Sequence, residues 1–91
     1  MRYLMKATET FEFESDFFYY IDSNIDEYTM NEVVDNAKLI INGDYDEVDE
    51  DYQKYCDYDG EYVSELIEQI IKDLGYTYDN PSSIETIIIE Y

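Results

Sequence analysis

Ninety-one residues hold one small domain, and a domain of this size buries roughly 60 to 70% of the surface its unfolded chain exposes, which leaves little room for a deep active-site cleft. Twenty-four Asp and Glu stand against five Lys and Arg, a formal charge of -19 with no histidine, so nucleic acid and anionic membranes repel the chain and its expected partner is basic. Leu, Ile, Val and Phe total 23 residues, more than the roughly 20% below which highly charged chains stay unfolded, so the chain is expected to fold with its acids outward.

In chain order, Tyr3, Met5, Ala7, Phe11 and Phe13 alternate with Lys6, Thr8, Thr10, Glu12 and Glu14, interrupted by Leu4 and Glu9. Period two predicts a strand with one buried face and a bulge near Glu9. Ser15 and Asp16 offer a cap for FFYYID, which reads as a short helix or, almost equally, as more strand. Thr29 and Glu32 make a capping box ahead of Met30, Val33, Val34, Ala37, Ile40 and Ile41, and Gly43 supplies a stop, so a helix is predicted there. A second helix is expected from an Asp59 cap to a Gly75 stop, with Tyr62, Val63, Leu66, Ile67, Ile70, Ile71 and Leu74 as its apolar stripe. Between the two, Tyr45, Val48, Tyr52 and Tyr55 fall three or four apart, which favours a short helix over residues 48–56 against an irregular acidic loop.

The C-terminal YTYDNPSSIETIIIEY reads as strand, Asn-Pro turn and strand, with Ile84, Ile87, Ile88 and Ile89 too apolar to face water on both sides. The expected fold is α+β: a small antiparallel sheet of two or three strands from both ends of the chain, packed on two to four helices, as a single domain over residues 1–91. Cys56 is the only cysteine, residues 1–6 do not open a secretory signal, and no apolar run nears the roughly 20 residues that span a bilayer. A cytoplasmic protein is expected, a monomer or homodimer without a membrane. Abundant Tyr, Ile and Asn beside a single Arg point to an AT-rich gene of a microbe or its phage.

Residues 42–62 hold nine carboxylates, five tyrosines and one lysine. Asp57, Asp59 and Gly60 echo a calcium loop, but placing Gly60 at its sixth position puts Tyr55 at the first and Leu66 at the twelfth, where a carboxylate must close the coordination sphere. The match fails, and no metal or other cofactor is expected. Catalysis has little footing: there is no histidine and no phosphate loop, and Cys56 lies among acids that do not favour a thiolate nucleophile. The protein is read as no enzyme.

The remaining use of the stretch is as a surface. Asp44, Asp46, Glu47, Asp49, Glu50 and Asp51 would lead contact with a cationic groove, joined by Asp57, Asp59, Glu61, Glu65 and Glu68. Tyr45, Tyr52, Tyr55 and Tyr58 would stack on guanidinium groups or hydrogen-bond at the same face. The plain alternative is a solvated acidic face with no partner. The interleaving in DYDEVDEDYQKYCDYDGEY, with the acidic, tyrosine-rich composition of the whole chain, resembles the phage-encoded DNA mimics, the anti-CRISPR and anti-restriction inhibitors. That resemblance implies a stoichiometric inhibitor that occupies the basic nucleic-acid channel of a CRISPR effector or restriction enzyme in the host bacterial cytosol. Alternatives are an immunity or antitoxin protein for one nuclease, and a divalent-cation-binding module.

Overall fold

A computed structural model of the chain describes residues 1–10, 14–83 and 86–91. The alternation at the N-terminus forms β1 (Arg2–Thr10), which pairs antiparallel with β2 (Glu14–Asp22). The register runs without an extra residue from Arg2↔Asp22 to Thr10↔Glu14, so the bulge expected near Glu9 does not form. FFYYID is strand and not helix. Its Phe17, Tyr19 and Ile21 fall on the same side as Ala7, Met5 and Tyr3 across the ladder, and Ile21 is fully buried there. That side-by-side burial of aromatic and β-branched residues outweighs the cap offered by Ser15 and Asp16. Phe11, Phe13 and Ile84 lie outside the described residues.

The first helix, α1 (Glu27–Asn42), starts earlier than the capping box indicated. Asp26 is its N-cap: its carboxylate accepts from the Thr29 amide at 3.0 Å and from Thr29 Oγ1 at 2.7 Å. The Thr29 hydroxyl and amide therefore hold the Asp26 carboxyl below the usual range. The helix ends at Gly43 with φ +82°, where the Gly43 and Asp44 amides close back on Ile40 and Leu39. The second helix, α2 (Val63–Asp73), is capped at Tyr62 and not at Asp59, and it buries Val63, Leu66, Ile67, Ile70 and Ile71. Tyr62, expected in that stripe, is 42% exposed because the chain has not yet turned into the helix.

Strand β3 (Ile87–Glu90) lies on the other side of β1 and runs parallel to it, giving the order β2-β1-β3. The α+β class holds, but the sheet is mixed instead of antiparallel throughout. Parallel neighbours need a long crossover, and β2 with both helices lies between β1 and β3, so β3 can run in the direction of β1 and opposite to β2. The Tyr-rich stretch before Pro81 does not form a strand. It touches β2 through a single bridge, Asp22↔Asp79, and through Asn80 Nδ2, which donates to the Tyr20 carbonyl at 3.1 Å.

One sheet face, carrying Tyr3, Met5, Ile21 and Ile89, packs with both helices into a single core. The opposite face carries Leu4, Lys6, Phe18, Tyr20, Ile88 and Glu90 in register and stays open, with Phe18 66% and Ile88 57% exposed. In the core, the Tyr3 hydroxyl donates to the Ile25 carbonyl at 2.6 Å. Burial, and then the Asp26 and Glu27 charges, push its pKa up to about 12; burial, followed by Glu32 and Asp49, does the same for Tyr52. A neutral acid whose pKa is higher when folded supports the fold below its unfolded value near 10 and loses that support as pH climbs to about 12. Alkaline titration is therefore expected to show late phenolate absorbance rising together with loss of far-ultraviolet dichroism in that window. Complete ionisation of all tyrosines before any unfolding would contradict it.

Candidate functional site

After α1 the chain enters the acidic stretch as a 3-10 turn, Tyr45–Glu47, followed by a 3-10 helix, Glu50–Tyr55. No α-helix spans residues 48–56. An α-helix through this stretch would stack Asp46 on Glu50 and Glu47 on Asp51, both like-charge pairs four residues apart, and breaking the turn at Val48 avoids that arrangement. Three apolar residues anchor the stretch: Val48, Tyr52 and Tyr55 are 5%, 6% and 5% exposed. Tyr52 and Tyr55 are thus core rings, and the stacking role expected of them at a partner does not fit their position. The Tyr55 hydroxyl donates to the Asp73 carboxylate at the end of α2, and Lys54 Nζ lies 3.5 Å from the same group. The Tyr55 bond, helped by Lys54, holds Asp73 below the usual carboxylate range, while burial and Asp73 push the Tyr55 phenol well up.

Two amides that the acidic pattern conceals fix the backbone. Asn36, on the buried stripe of α1 and only 2% exposed, accepts from the Asp49 amide at 2.8 Å. Its Nδ2 donates to the Glu32 carbonyl at 2.8 Å and to Asp49 Oδ2 at 3.1 Å. Gln53 Nε2 donates to the Val48 carbonyl at 2.8 Å and to the Tyr45 carbonyl at 3.1 Å. Between these clamps Asp44, Asp46, Glu47, Asp49, Glu50 and Asp51 all project into solvent, with Tyr45 46% exposed beside them. A polar amide at helical spacing among Val33, Ala37 and Ile40 is the sequence signal that would have marked Asn36.

The second half of the expected surface is less regular. Asp57 and Asp59 are exposed in the connection to α2, and Glu61 precedes that helix, so it does not continue a helical row with Glu65 and Glu68. Glu68 is half-buried and ion-paired with Lys72 at 3.2 Å. Tyr58 folds over Gly60 and donates to Glu65 at 3.4 Å; burial and Glu65 raise its pKa. Cys56 is half-buried against the core with its thiol 3.6 Å from Gln53 Oε1. Among the described residues no three metal-ligating side chains converge on a point that could hold an ion.

Gly60 lies against the Tyr58 side chain, and a Cβ built there would meet the Tyr58 hydroxyl and ring edge. Those atoms end a half-exposed side chain that can move, so Gly60→Ala is expected to swing the Tyr58 ring outward and break its contact with Glu65 while changing stability in urea unfolding by less than about 1 kcal/mol. A loss of about 2 kcal/mol or more would show that the ring is fixed in place.

Among the described residues no helix is long and apolar enough to cross a membrane. No protein-family model matches this sequence, and neither the curated proteins nor the solved structures yield a match.

Proposed function

We propose that the protein is a stoichiometric inhibitor that enters the Lys- and Arg-lined channel of a nucleic-acid-binding host defence nuclease, acting there as a charge mimic of nucleic acid, with an anti-CRISPR role as its sharpest form. The observation that carries this reading is the clamped acidic platform of residues 44–51. Six exposed carboxylates sit on a backbone held by Asn36, Gln53 and three buried side chains. Loose acids would have to be ordered on binding, at roughly 0.5 to 1.5 kcal/mol for each side chain immobilised, and a preset backbone avoids part of that cost. Carboxylates entering a basic channel also release the counterions of both partners, the term that dominates nucleic-acid affinity for such channels.

The distribution of charge supports the same reading. Acids within residues 26–73 line the helical layer against Lys38, Lys54 and Lys72 alone, whereas the open sheet face pairs Arg2 with Asp22 and Lys6 with Glu90. The anionic field is therefore stronger over the helical layer, where 16 acids face three lysines, than over the rest of the chain, where eight acids face Arg2 and Lys6. The direct test is capture from a bacterial lysate on the immobilised protein, washed at rising salt. Elution of a nucleic-acid enzyme in one steep salt step, with loss of its DNA or RNA binding on adding the protein back, is the expected result. Recovery of neutral or acidic proteins only would overturn the proposal.

A further inference from the structure

The helices cover one sheet face and leave the other bare, and that bare face differs in character from the rest of the molecule. Its register sets Tyr20, Leu4 and Ile88 in one row and Phe18, Lys6 and Glu90 in the next. Phe18 and Ile88 are 66% and 57% exposed there, on the two strands that flank β1. Its charges by register are Arg2 and Lys6 against Glu14, Asp16, Asp22 and Glu90, a net of -2 (two cations, four acids) where the whole chain carries -19.

We infer that this face is where two copies of the chain associate, Phe18 against the sheet of the partner copy. Three observations select a second copy as occupant. Over residues 44–51 an approach of two copies brings acid onto acid, while here each partner carries little net charge. The face also offers a self-complementary fit, because the exposed Phe18 side chain forms one wall of an open hollow of about 430 Å³ that Lys6, Thr8, Asp16 and Glu90 also line. A two-fold axis across the strands lets each ring enter the other hollow, where the Lys6 ammonium offers a cation–π contact. Finally, the cations are already tied locally, Lys6 to Glu90 at 3.8 Å and Arg2 to Asp22 at 4.0 Å, so the face presents little free charge to a strongly charged partner of either sign.

Area sets the strength. Two nine-residue strands and one of four, at about 3.3 Å per residue and about 4.8 Å apart, give a footprint on the order of 350 Å² per copy. A stable complex buries about 800 Å² per partner, so the dimer is weak and forms only when long-range repulsion is screened. Its salt dependence is therefore opposite to that of the acidic platform, whose contacts with a basic partner weaken as salt rises. The two surfaces can fail independently.

The test is sedimentation equilibrium of the full chain without any partner. At low salt the protein is expected to be a monomer. At about 0.5 M NaCl, where the Debye length is about 4 Å, a concentration-dependent dimer should appear below about 1 mM. Phe18→Glu with Ile88→Glu, both on exposed positions, should raise the dimer dissociation constant at least tenfold with unchanged circular dichroism. The reversal of platform acids should leave or strengthen dimerisation. Wild-type protein that remains monomeric at high salt, or a dimer indifferent to the double substitution, would overturn the inference.

Discussion

Reversing Asp46, Glu47, Glu50 and Asp51 to Lys is expected to abolish binding to the basic partner recovered by salt-step capture while leaving the fold intact. All four side chains are exposed and none appears among the hydrogen bonds that hold the platform, which run through Asn36, Gln53 and the Asp49 amide. Each exposed ion pair in such an interface contributes about 0.2 to 1 kcal/mol, and reversal replaces attraction with repulsion, so four changes together should cost roughly 2 to 8 kcal/mol, with about 4 kcal/mol, a thousandfold in affinity, near the middle. The fold should gain slightly, because each change removes two units from a self-repelling charge of -19.

The salt slope of binding should flatten in parallel, since fewer counterions are displaced. A control that reverses Asp35 and Asp79, exposed on α1 and at the sheet edge, separates a placed surface from net charge alone. The two controls should cost less than a tenth of what Asp46 and Glu47 cost together. Equal losses would mean that any acid serves, and unchanged affinity in the fourfold variant would remove residues 44–51 from the interface.

The sequence carries most of this architecture because its helices have one-sided apolar stripes. Val33, Val34, Ala37 and Ile40, and then Val63, Leu66, Ile67, Ile70 and Ile71, recur at helical spacing and are all buried. Where two local signals compete, tertiary pairing decides. Ser15 and Asp16 can cap a helix, yet Phe17, Tyr19 and Ile21 have a strand waiting opposite them. The direction of β3 is invisible to a pattern of period two, because parallel and antiparallel strands bury the same alternate residues.

Within the acidic stretch, the spacing of Tyr45, Val48, Tyr52 and Tyr55 marks what faces inward at the last three and not at Tyr45, which is exposed, and it runs against assigning Tyr52 and Tyr55 to a partner. A side chain buried to anchor a loop has no ring face left to offer. The exposed acids were legible one by one. What composition could not supply is their fixation, which rests on Asn36 and Gln53, two ordinary amides far outnumbered by the charges they organise.

Asn36→Ala tests that fixation directly. The substitution removes the partner of the Asp49 amide and of the Asp49 carboxylate, both part-buried, together with a bond to the Glu32 carbonyl. Losing such hydrogen bonds costs about 1 kcal/mol or more, so the melting temperature of a domain this small should fall by about 4 °C or more. A core cavity would produce the same fall, so stability alone does not decide the matter. The distinguishing readout is amide exchange: protection of Val48, Asp49 and Tyr52 should collapse, while that of Ile67, Ile70 and Ile71 declines only with global stability. Asn36→Asp keeps an acceptor for the Asp49 amide but sets a second carboxylate against the Asp49 side chain, so it should release the segment at least as much as Ala does. In both variants every exposed acid remains, and affinity for the basic partner should nevertheless drop about tenfold, because the platform must then be ordered at the moment of binding. Full affinity with a mobile segment would show that the acids act as a diffuse cloud, and the clamp would then be a matter of stability alone.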